Sequence, residues 1–166
     1  MLKDTFSYLI LRHQQKMLPT LLDGIADPQL AAQPIAGMNH PAWILGHILA
    51  VEHRIGGGLL GANWKIVLDP GWWDVYGFGS IPQSDRSRYK SKDFYMTCLD
   101  ETANMIAAFC EEASDADLDK AVPHAEMAKF FPTLSIALGA AATHRAYHSG
   151  QLAIWRKAMG LPHAGM

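Results

Sequence analysis

The sequence predicts an all-α protein, a four-helix bundle with a long loop between the second and third helices. Four segments repeat apolar residues at helical spacing, no segment alternates as a strand would, and Gly or Pro marks the breaks. Of 166 residues, 49% are apolar and 18% charged, which suffices for a buried core without a metal or disulfide. The length predicts a single domain over residues 1–166.

The first two predicted helices precede the loop. Apolar residues recur over residues 3–22, and "DGIADPQLAAQPIAGM" then interrupts the pattern. A second helix is predicted to open at Asn39, a favourable N-cap residue, with Pro41 in the first turn, where its missing N–H is tolerated. We expect it to end within residues 55–61, because three consecutive glycines weaken it.

The loop is predicted over residues 62–91, which show no helical period and hold most of the tryptophans. A connection of this length is uncommon in a compact bundle and is often functional or an interface. The alternative is a loop that covers one end of the core with aromatic side chains. The sequence leaves both open.

The last two long helices follow the loop. The third is predicted over residues 92–112, with a buried stripe of Phe94, Cys98, Leu99, Met105, Ile106 and Phe109. "ASDADLDKAV" is compatible with a short helical turn, and "PHAEMAKFFP" is predicted to be loop. The fourth is predicted over residues 133–159, because Gly160 is a typical C′ residue and Pro162 prevents continuation.

Composition excludes several classes of partner. The net charge is −2 with no basic run, which argues against nucleic acid. The longest apolar stretch, "PAWILGHILAV", is too short to span a bilayer, and the N-terminus lacks signal-peptide features. Cys98 and Cys110 fall on one predicted helix, roughly 18 Å apart along its axis, too far for a disulfide. A cytoplasmic protein is expected.

Two histidines in the last helix predict a metal site. His144 and His148 are four residues apart, so their side chains project about 40° apart and about 6 Å apart along the axis. Trp155 and Ala141 lie on the same stripe, which should face the bundle interior. Buried imidazoles need partners for their ring nitrogens, and either a metal ion or core carbonyls and water would satisfy them.

His47, in the second helix, supplies a third inward imidazole. Its neighbours Ile44, Ile48 and Val51 are apolar, so its face is also the inner one. Three histidines leave a coordination position open, which is the catalytic rather than the structural pattern for zinc. Zinc or nickel suits three imidazoles. The sequence contains no HExxH, Glu-x-x-His, G-x-S-x-G or phosphate-binding glycine motif.

The other histidines are expected to have surface or structural roles. His53 points to another side of its helix, and His40 is too far along the helix to share an ion with His47. The remaining three are His13, His124 and His163.

Several residues near the predicted site have two possible roles. The small residues Ala137, Ala140 and Ala141 would leave room for a substrate or would let helices pack closely. Arg54, two turns beyond His47, would meet an anionic substrate group or solvent. Gln151 is a candidate to orient the His148 ring by a hydrogen bond to the ring nitrogen that does not bind the metal. A larger residue, Tyr147, is expected to pack between helices.

The segments "NHPAWILGHI" and "THRAYHSGQLAIWRKAMGLP" resemble the DinB/YfiT-like superfamily. The resemblance extends, in length and helix order, over essentially the whole chain. It implies a four-helix bundle, often a homodimer, whose metal triad carries over to His47, His144 and His148. Characterised relatives are metal-dependent and use low-molecular-weight thiols as S-transferases or isomerases, whereas others look like hydrolases.

Three functions are therefore expected in order. The first is a thiol-dependent S-transferase that acts on a small electrophile, with a divalent metal ion and a low-molecular-weight thiol as cosubstrate. The second is a metal-dependent hydrolase, for which a base is missing because Glu52 points about 140° away from His47. The third is a non-catalytic binding or dimerisation module in which the metal only holds helices together.

Overall fold

The computed structural model describes residues 4–5, 15–61 and 64–164. The α-helices within these ranges are α1 Gln15–Leu22, α2 Pro41–Leu60, α3 Trp72–Tyr76, α4 Lys92–Glu112, α5 Asp115–Leu118, α6 Ala125–Ala128 and α7 Leu134–Ala158. Short 3₁₀ turns span Asp27–Ala31 and Arg86–Arg88. No β-strand occurs in the described ranges, and the predicted all-α four-helix bundle is confirmed, with α1, α2, α4 and α7 as its helices.

Helix α1 is the described end of the first predicted helix, and residues 6–14 of that prediction lie outside the described ranges. Its inner face buries Leu18, Leu21 and Leu22. The apolar residues of α1 therefore anchor it to the core, because removal of such side chains from water is the main stabilising term.

Helix α2 starts one residue later than predicted. Its N-cap is His40, whose Nδ1 accepts a hydrogen bond from the backbone N–H of Trp43 at 3.2 Å. The side chain of Asn39 is instead used across the bundle, where its Nδ2 donates to Gln151 Oε1 at 3.1 Å. The prediction of Asn39 as the cap was wrong because sequence propensity cannot show this tertiary contact. The predicted end was correct, since α2 ends at Leu60.

The long loop contains a short helix, α3, which the sequence pattern did not predict. Gly71 precedes it with φ 79°, a left-handed conformation that favours glycine. Trp72 and Tyr76 of α3 are buried against α2. This segment covers the core with aromatic rings, as one of the two alternatives expected, and it also reaches the histidines described below.

Helices α4 and α7 have the predicted bounds within one residue. Ser91 caps α4 by accepting from Phe94 N–H, and Thr133 caps α7 by accepting from Ile136 N–H. Beyond α7, Gly160 has φ 69°, as expected for a C′ residue.

Two other predictions for this half of the chain were inexact. The buried residues of α4 are Tyr95, Leu99, Thr102, Ala103, Ile106, Ala107 and Cys110, whereas four of the predicted stripe, Phe94, Cys98, Met105 and Phe109, are only half-buried. Helix α6 lies in the segment predicted as loop, and α5 is the short turn that was expected.

Helices α2 and α7 pack against each other through the centre of the bundle and bury polar side chains between them. The buried polar and charged residues include His47 and Glu52 of α2 and Arg145 and His148 of α7. Among the described residues, no helix is both long and apolar enough to cross a membrane. Both cysteines are free thiols.

Candidate metal centre

The structure brings His47, His144 and His148 together between α2 and α7. His47 and His148 are buried, and His144 is half-buried. Nε2 of His144 lies 3.1 Å from Nε2 of His47 and 3.2 Å from Nε2 of His148. Within the described residues, these three form a group whose potential ligand atoms all lie within 4.8 Å of one another. The group could hold a metal ion.

The ring of His47 is fixed from several sides. Its Nδ1–H donates to the backbone carbonyl of Tyr76 at 2.5 Å, and the ring stacks on Trp43 with centroids 4.6 Å apart. Tyr76 can approach α2 because residue 46 is glycine, where an added Cβ would lie 2.2 Å from the Tyr76 ring. Gly46 and α3 together therefore determine which nitrogen of His47 is protonated, and they leave Nε2 with its lone pair.

The ring of His148 is fixed in the same way by an amide. Its Nδ1–H donates to Gln151 Oε1 at 3.0 Å, and the same oxygen accepts from Asn39 Nδ2. Gln151 therefore lies behind His148, the position expected of a residue that orients a metal ligand. Tyr147, predicted to pack between helices, is 66% exposed, and its ring meets the His148 ring edge-on.

These protonation states leave ring nitrogens that a cation could bind. Since His47 and His148 both carry their ring proton on Nδ1, both Nε2 atoms are lone-pair acceptors. If His144 carries its ring proton on Nε2, this single N–H lies against two acceptors. If it carries the proton on Nδ1, three lone pairs converge and the buried Nδ1–H has no partner among the described residues. A cation at the centre satisfies all three nitrogens. Tetrahedral zinc at about 2.05 Å would hold its nitrogens about 3.3 Å apart, close to the observed spacing.

Burial keeps the imidazoles neutral, which metal binding requires. Desolvation, followed by the neighbouring His148 and His47, lowers the pKa of His144 to about 3. Desolvation and His47 lower the pKa of His148 to about 4, and desolvation also lowers the pKa of His47. The Nδ1 atom of His144 is buried and has no hydrogen-bond partner among the residues that the structure describes.

Aromatic rings connect the histidines to Arg54. Phe78 meets His47 edge-on with centroids 5.2 Å apart, and Trp73 meets Phe78 at 5.8 Å. The guanidinium of Arg54 lies over the Trp73 ring, 5.2 Å from its centroid. Arg54 is exposed to solvent, as its position near a helix end had suggested, and its guanidinium also rests on the Trp73 ring.

The small residues of α7 serve packing rather than an open space. Ala137 and Ala141 are buried in a cluster with residues of α2 such as Val51 and Ile55. Of the two roles that the sequence allowed, close helix packing is the one that the structure shows for these two positions. Ala140 is only half-buried.

The other described histidines lie apart from this group. His40 is buried as the N-cap of α2, and its Nε2–H donates to Gln83 O at 2.9 Å. His53 accepts at Nδ1 from Trp64 Nε1–H at 2.7 Å. His124 and His163 are exposed, and His13 lies outside the described residues. These places agree with the surface or structural roles expected for the described four.

A buried ion pair beside the histidines was not predicted. Arg145, next in sequence to His144, donates to both carboxylate oxygens of Glu52 at 2.6 and 2.5 Å. Thr102 of α4 also donates to Glu52, at 2.8 Å. Both partners are at most 3% exposed. Glu52 and Arg145 each stand beside other polar residues in the sequence, so no short-range pattern marked them as a buried pair.

The comparison with known proteins agrees with this architecture. A family model described as the DinB superfamily matches residues 10–152, most of the chain. The chain belongs to the DinB superfamily. No curated protein and no solved structure matches it. The matched range of this DinB protein contains His47, His144 and His148, together with Gly46, Tyr76 and the other groups that orient them.

Proposed function

We propose that this DinB protein is a metal-dependent enzyme, a thiol-dependent S-transferase that acts on a small electrophile. The observation that supports it is the convergence of three Nε2 lone pairs, two of them fixed by Nδ1–H bonds to Tyr76 O and Gln151 Oε1. A divalent cation there, zinc or nickel, supplies Lewis-acid chemistry that makes a bound thiol or water nucleophilic at neutral pH.

The protein's own contribution is orientation. Tyr76 O and Gln151 hold two imidazoles rigid, so a three-histidine site keeps an open position for a ligand. In the proposed reaction a low-molecular-weight thiol loses its proton to solvent, and its sulfur forms a C–S bond with the electrophile. The leaving group departs with the bonding electron pair.

The ion pair favours a thiol over water as the nucleophile. Activation of water by a hydrolase is helped by a carboxylate base near the metal. Glu52 is the acidic residue of α2 nearest in sequence to His47, but both its oxygens are held by Arg145, and Thr102 donates to one. A thiol needs no such base, because its pKa is already near neutral and falls further on a cation. The hydrolase remains the second proposal.

Elemental analysis tests the metal site. The protein purified without added metal should contain about one zinc or nickel per chain, and His148→Ala should contain far less. His163→Ala is the matched control, because His163 is exposed and lies outside the group. Stoichiometric metal in His148→Ala would contradict the proposed triad.

A turnover assay separates the proposed reactions. The metal-loaded protein is incubated with cysteine, glutathione or another small thiol and a chloroarene or epoxide, and the thioether is measured by mass spectrometry. The S-transferase predicts thioether formation that His148→Ala loses. Ester hydrolysis without thiol would favour the hydrolase, and full metal occupancy without turnover would favour the non-catalytic module.

We also propose a homodimer in the cytoplasm. The outer face of α7 presents Ile136, Ala140, Thr143, Tyr147, Gly150 and Ile154 at alternating spacings of four and three residues. Arg145, the charged residue in this stretch, is buried. The stripe is self-complementary, since an antiparallel copy sets Ile136 against Ile154 and Thr143 against Tyr147. Two free thiols fit a reducing compartment.

Sedimentation equilibrium tests the dimer. Tyr147→Glu should convert the protein to a monomer, because it places a charge at the centre of the stripe. Phe130→Glu is the control, since Phe130 is 75% exposed and is not on α7. A monomeric wild-type protein would contradict the proposal.

A further inference from the structure

A cavity lies beside α2, and none of the three histidines lines it. It measures about 540 Å³, and its lining includes His53, Arg54, Leu68, Asp69, Trp72 and Trp73. This volume lies within the range of small-molecule sites. None of its lining residues takes part in the chemistry proposed above.

We infer that this cavity binds a small carboxylate with a flat apolar body, held by the guanidinium of Arg54 and the indole of Trp73. Arg54 lies over Trp73 at 5.2 Å from the ring centroid. It forms no ion pair with any acidic side chain of the described residues. A guanidinium held over an indole keeps its in-plane N–H donors available, and these match a carboxylate bidentately.

His53 supplies a neutral donor in the same cavity. Its Nδ1 accepts from the Trp64 indole N–H at 2.7 Å, so the ring proton of the neutral form is on Nε2. Burial lowers the pKa of His53 and favours this neutral form. The Nε2–H is therefore the group that His53 can offer to a ligand oxygen.

The charged residues around the cavity favour a ligand with one negative charge over a ligand with two. Asp69 also lines the cavity, and its carboxylate pairs with Lys90 Nζ at 2.5 Å. Because Asp69 is paired with Lys90, Arg54 is the charged lining residue left without an ion pair to any described residue, and neutral His53 adds a donor without a charge. A monocarboxylate balances this charge, whereas a phosphate dianion would exceed it.

The residues that line the cavity indicate that the rest of the ligand is apolar. Gly57 and Gly58 of α2 line one side of the cavity, with the Cβ position of Gly58 packed against Met127, and Leu68, Trp72 and Trp73 also line it. Such a slot between a helix surface and indole rings accepts a flat group. Benzoate is the simplest probe with this chemistry, and benzamide is its neutral isostere.

The experiment is a titration of the purified protein with benzoate and benzamide, followed by calorimetry and by tryptophan fluorescence. Benzoate should bind saturably in the millimolar range or tighter, and benzamide should bind at least about tenfold more weakly. Arg54→Gln should weaken benzoate binding by about tenfold or more. Arg88→Gln, an exposed arginine outside the cavity, should leave it unchanged.

A third variant distinguishes binding in this cavity from binding at the three histidines. His148→Ala should bind benzoate as the wild type does, because His148 does not line the cavity. Loss of benzoate binding in His148→Ala would place the ligand on the metal and overturn the inference. Equal binding of benzamide, undiminished binding by Arg54→Gln, or absence of saturable binding would also overturn it. None of these outcomes depends on the proposed transferase activity.

Discussion

Two polar clusters are buried between the same pair of helices, and they differ in completeness. Glu52 and Arg145 form a pair in which opposite charges meet through two hydrogen bonds. Beside this pair, the Nε2 atoms of His47, His144 and His148 lie close to one another. The charges of the pair are satisfied by described residues, whereas the three histidine nitrogens could be satisfied together by a bound cation.

The difference shows how function can be recognised inside a core. A buried polar cluster that satisfies its own donors and acceptors is a structural feature, whatever its charge. His40 illustrates this for a histidine, since both its ring nitrogens have protein partners. A cluster whose lone pairs face one another lowers stability unless a ligand resolves it, and is therefore evidence of binding.

The largest expected effect tests the ion pair. Arg145→Met should lower the free energy of unfolding by about 3–5 kcal/mol, because it leaves the Glu52 carboxylate buried without its cation. Urea denaturation at neutral pH measures this loss. The double variant Arg145→Met/Glu52→Leu should recover much of it.

A surface pair is the control for this prediction. Lys129 pairs with Glu126 at 2.7 Å, and both are more than 60% exposed. Lys129→Met should therefore change stability by at most about 0.5 kcal/mol. If Arg145→Met changed the free energy of unfolding as little as Lys129→Met, Glu52 would not depend on Arg145 as its charge partner. The contrast between the two buried clusters would then be wrong.

The next effect tests the histidines. Metal at about 100 times its dissociation constant should stabilise the wild-type protein by about 2.7 kcal/mol, and a chelator should remove this gain. His148→Ala should show no chelator effect. In the metal-free state, His148→Ala should cost less than Arg145→Met, because it also relieves the contact between lone pairs. Calorimetric melting with and without chelator measures both differences.

A smaller effect is expected from a change at Gly46, which lets Tyr76 approach and hydrogen-bond His47. Gly46→Ala would place a Cβ 2.2 Å from the Tyr76 ring, so Tyr76 must move. We expect a loss of about 1–3 kcal/mol and a fall in metal affinity of about tenfold or more. Gly57→Ala, on the same helix, is the control, since a Cβ there lies no closer than 4.0 Å to Trp64 and should stabilise α2 by up to about 1 kcal/mol. Unchanged metal affinity in Gly46→Ala would show that Tyr76 does not orient His47.

The smallest effect concerns pH. Burial lowers the pKa of His40 below its unfolded value of about 6.5. Above about pH 6.5 both states are neutral and stability is complete; as the pH falls below this value, only the unfolded chain gains a proton, so stability decreases. His40→Asn, which keeps a capping residue, should reduce this decrease by about 1 kcal/mol between about pH 6.5 and 5.5.

Urea denaturation in the presence of chelator at both pH values measures the difference between the wild type and His40→Asn. The chelator keeps metal release from contributing to the wild-type slope. Equal pH dependence in the two proteins would show that His40 is not held neutral by burial.

The fold was largely predictable because its signals are local. Apolar spacing and Gly160 as a terminator predicted where α4 and α7 lie, and the caps that the structure shows, Ser91 and Thr133, are local features as well. The predictions were wrong where a tertiary contact overrides propensity. The cap of α2 is His40 because Asn39 is engaged with Gln151, and α3 forms where its rings pack on Gly46.

Sequence by itself determined that three histidines face the interior, because helical period alone decides which side a residue occupies. Only the tertiary structure decided that Nε2 of each ring points to the same place, since the proton positions depend on Tyr76 O and Gln151. The same holds for the bond between Glu52 and Arg145, which are 93 residues apart. Hydrogen bonds between distant segments depend on how whole helices pack, and no short-range pattern records that.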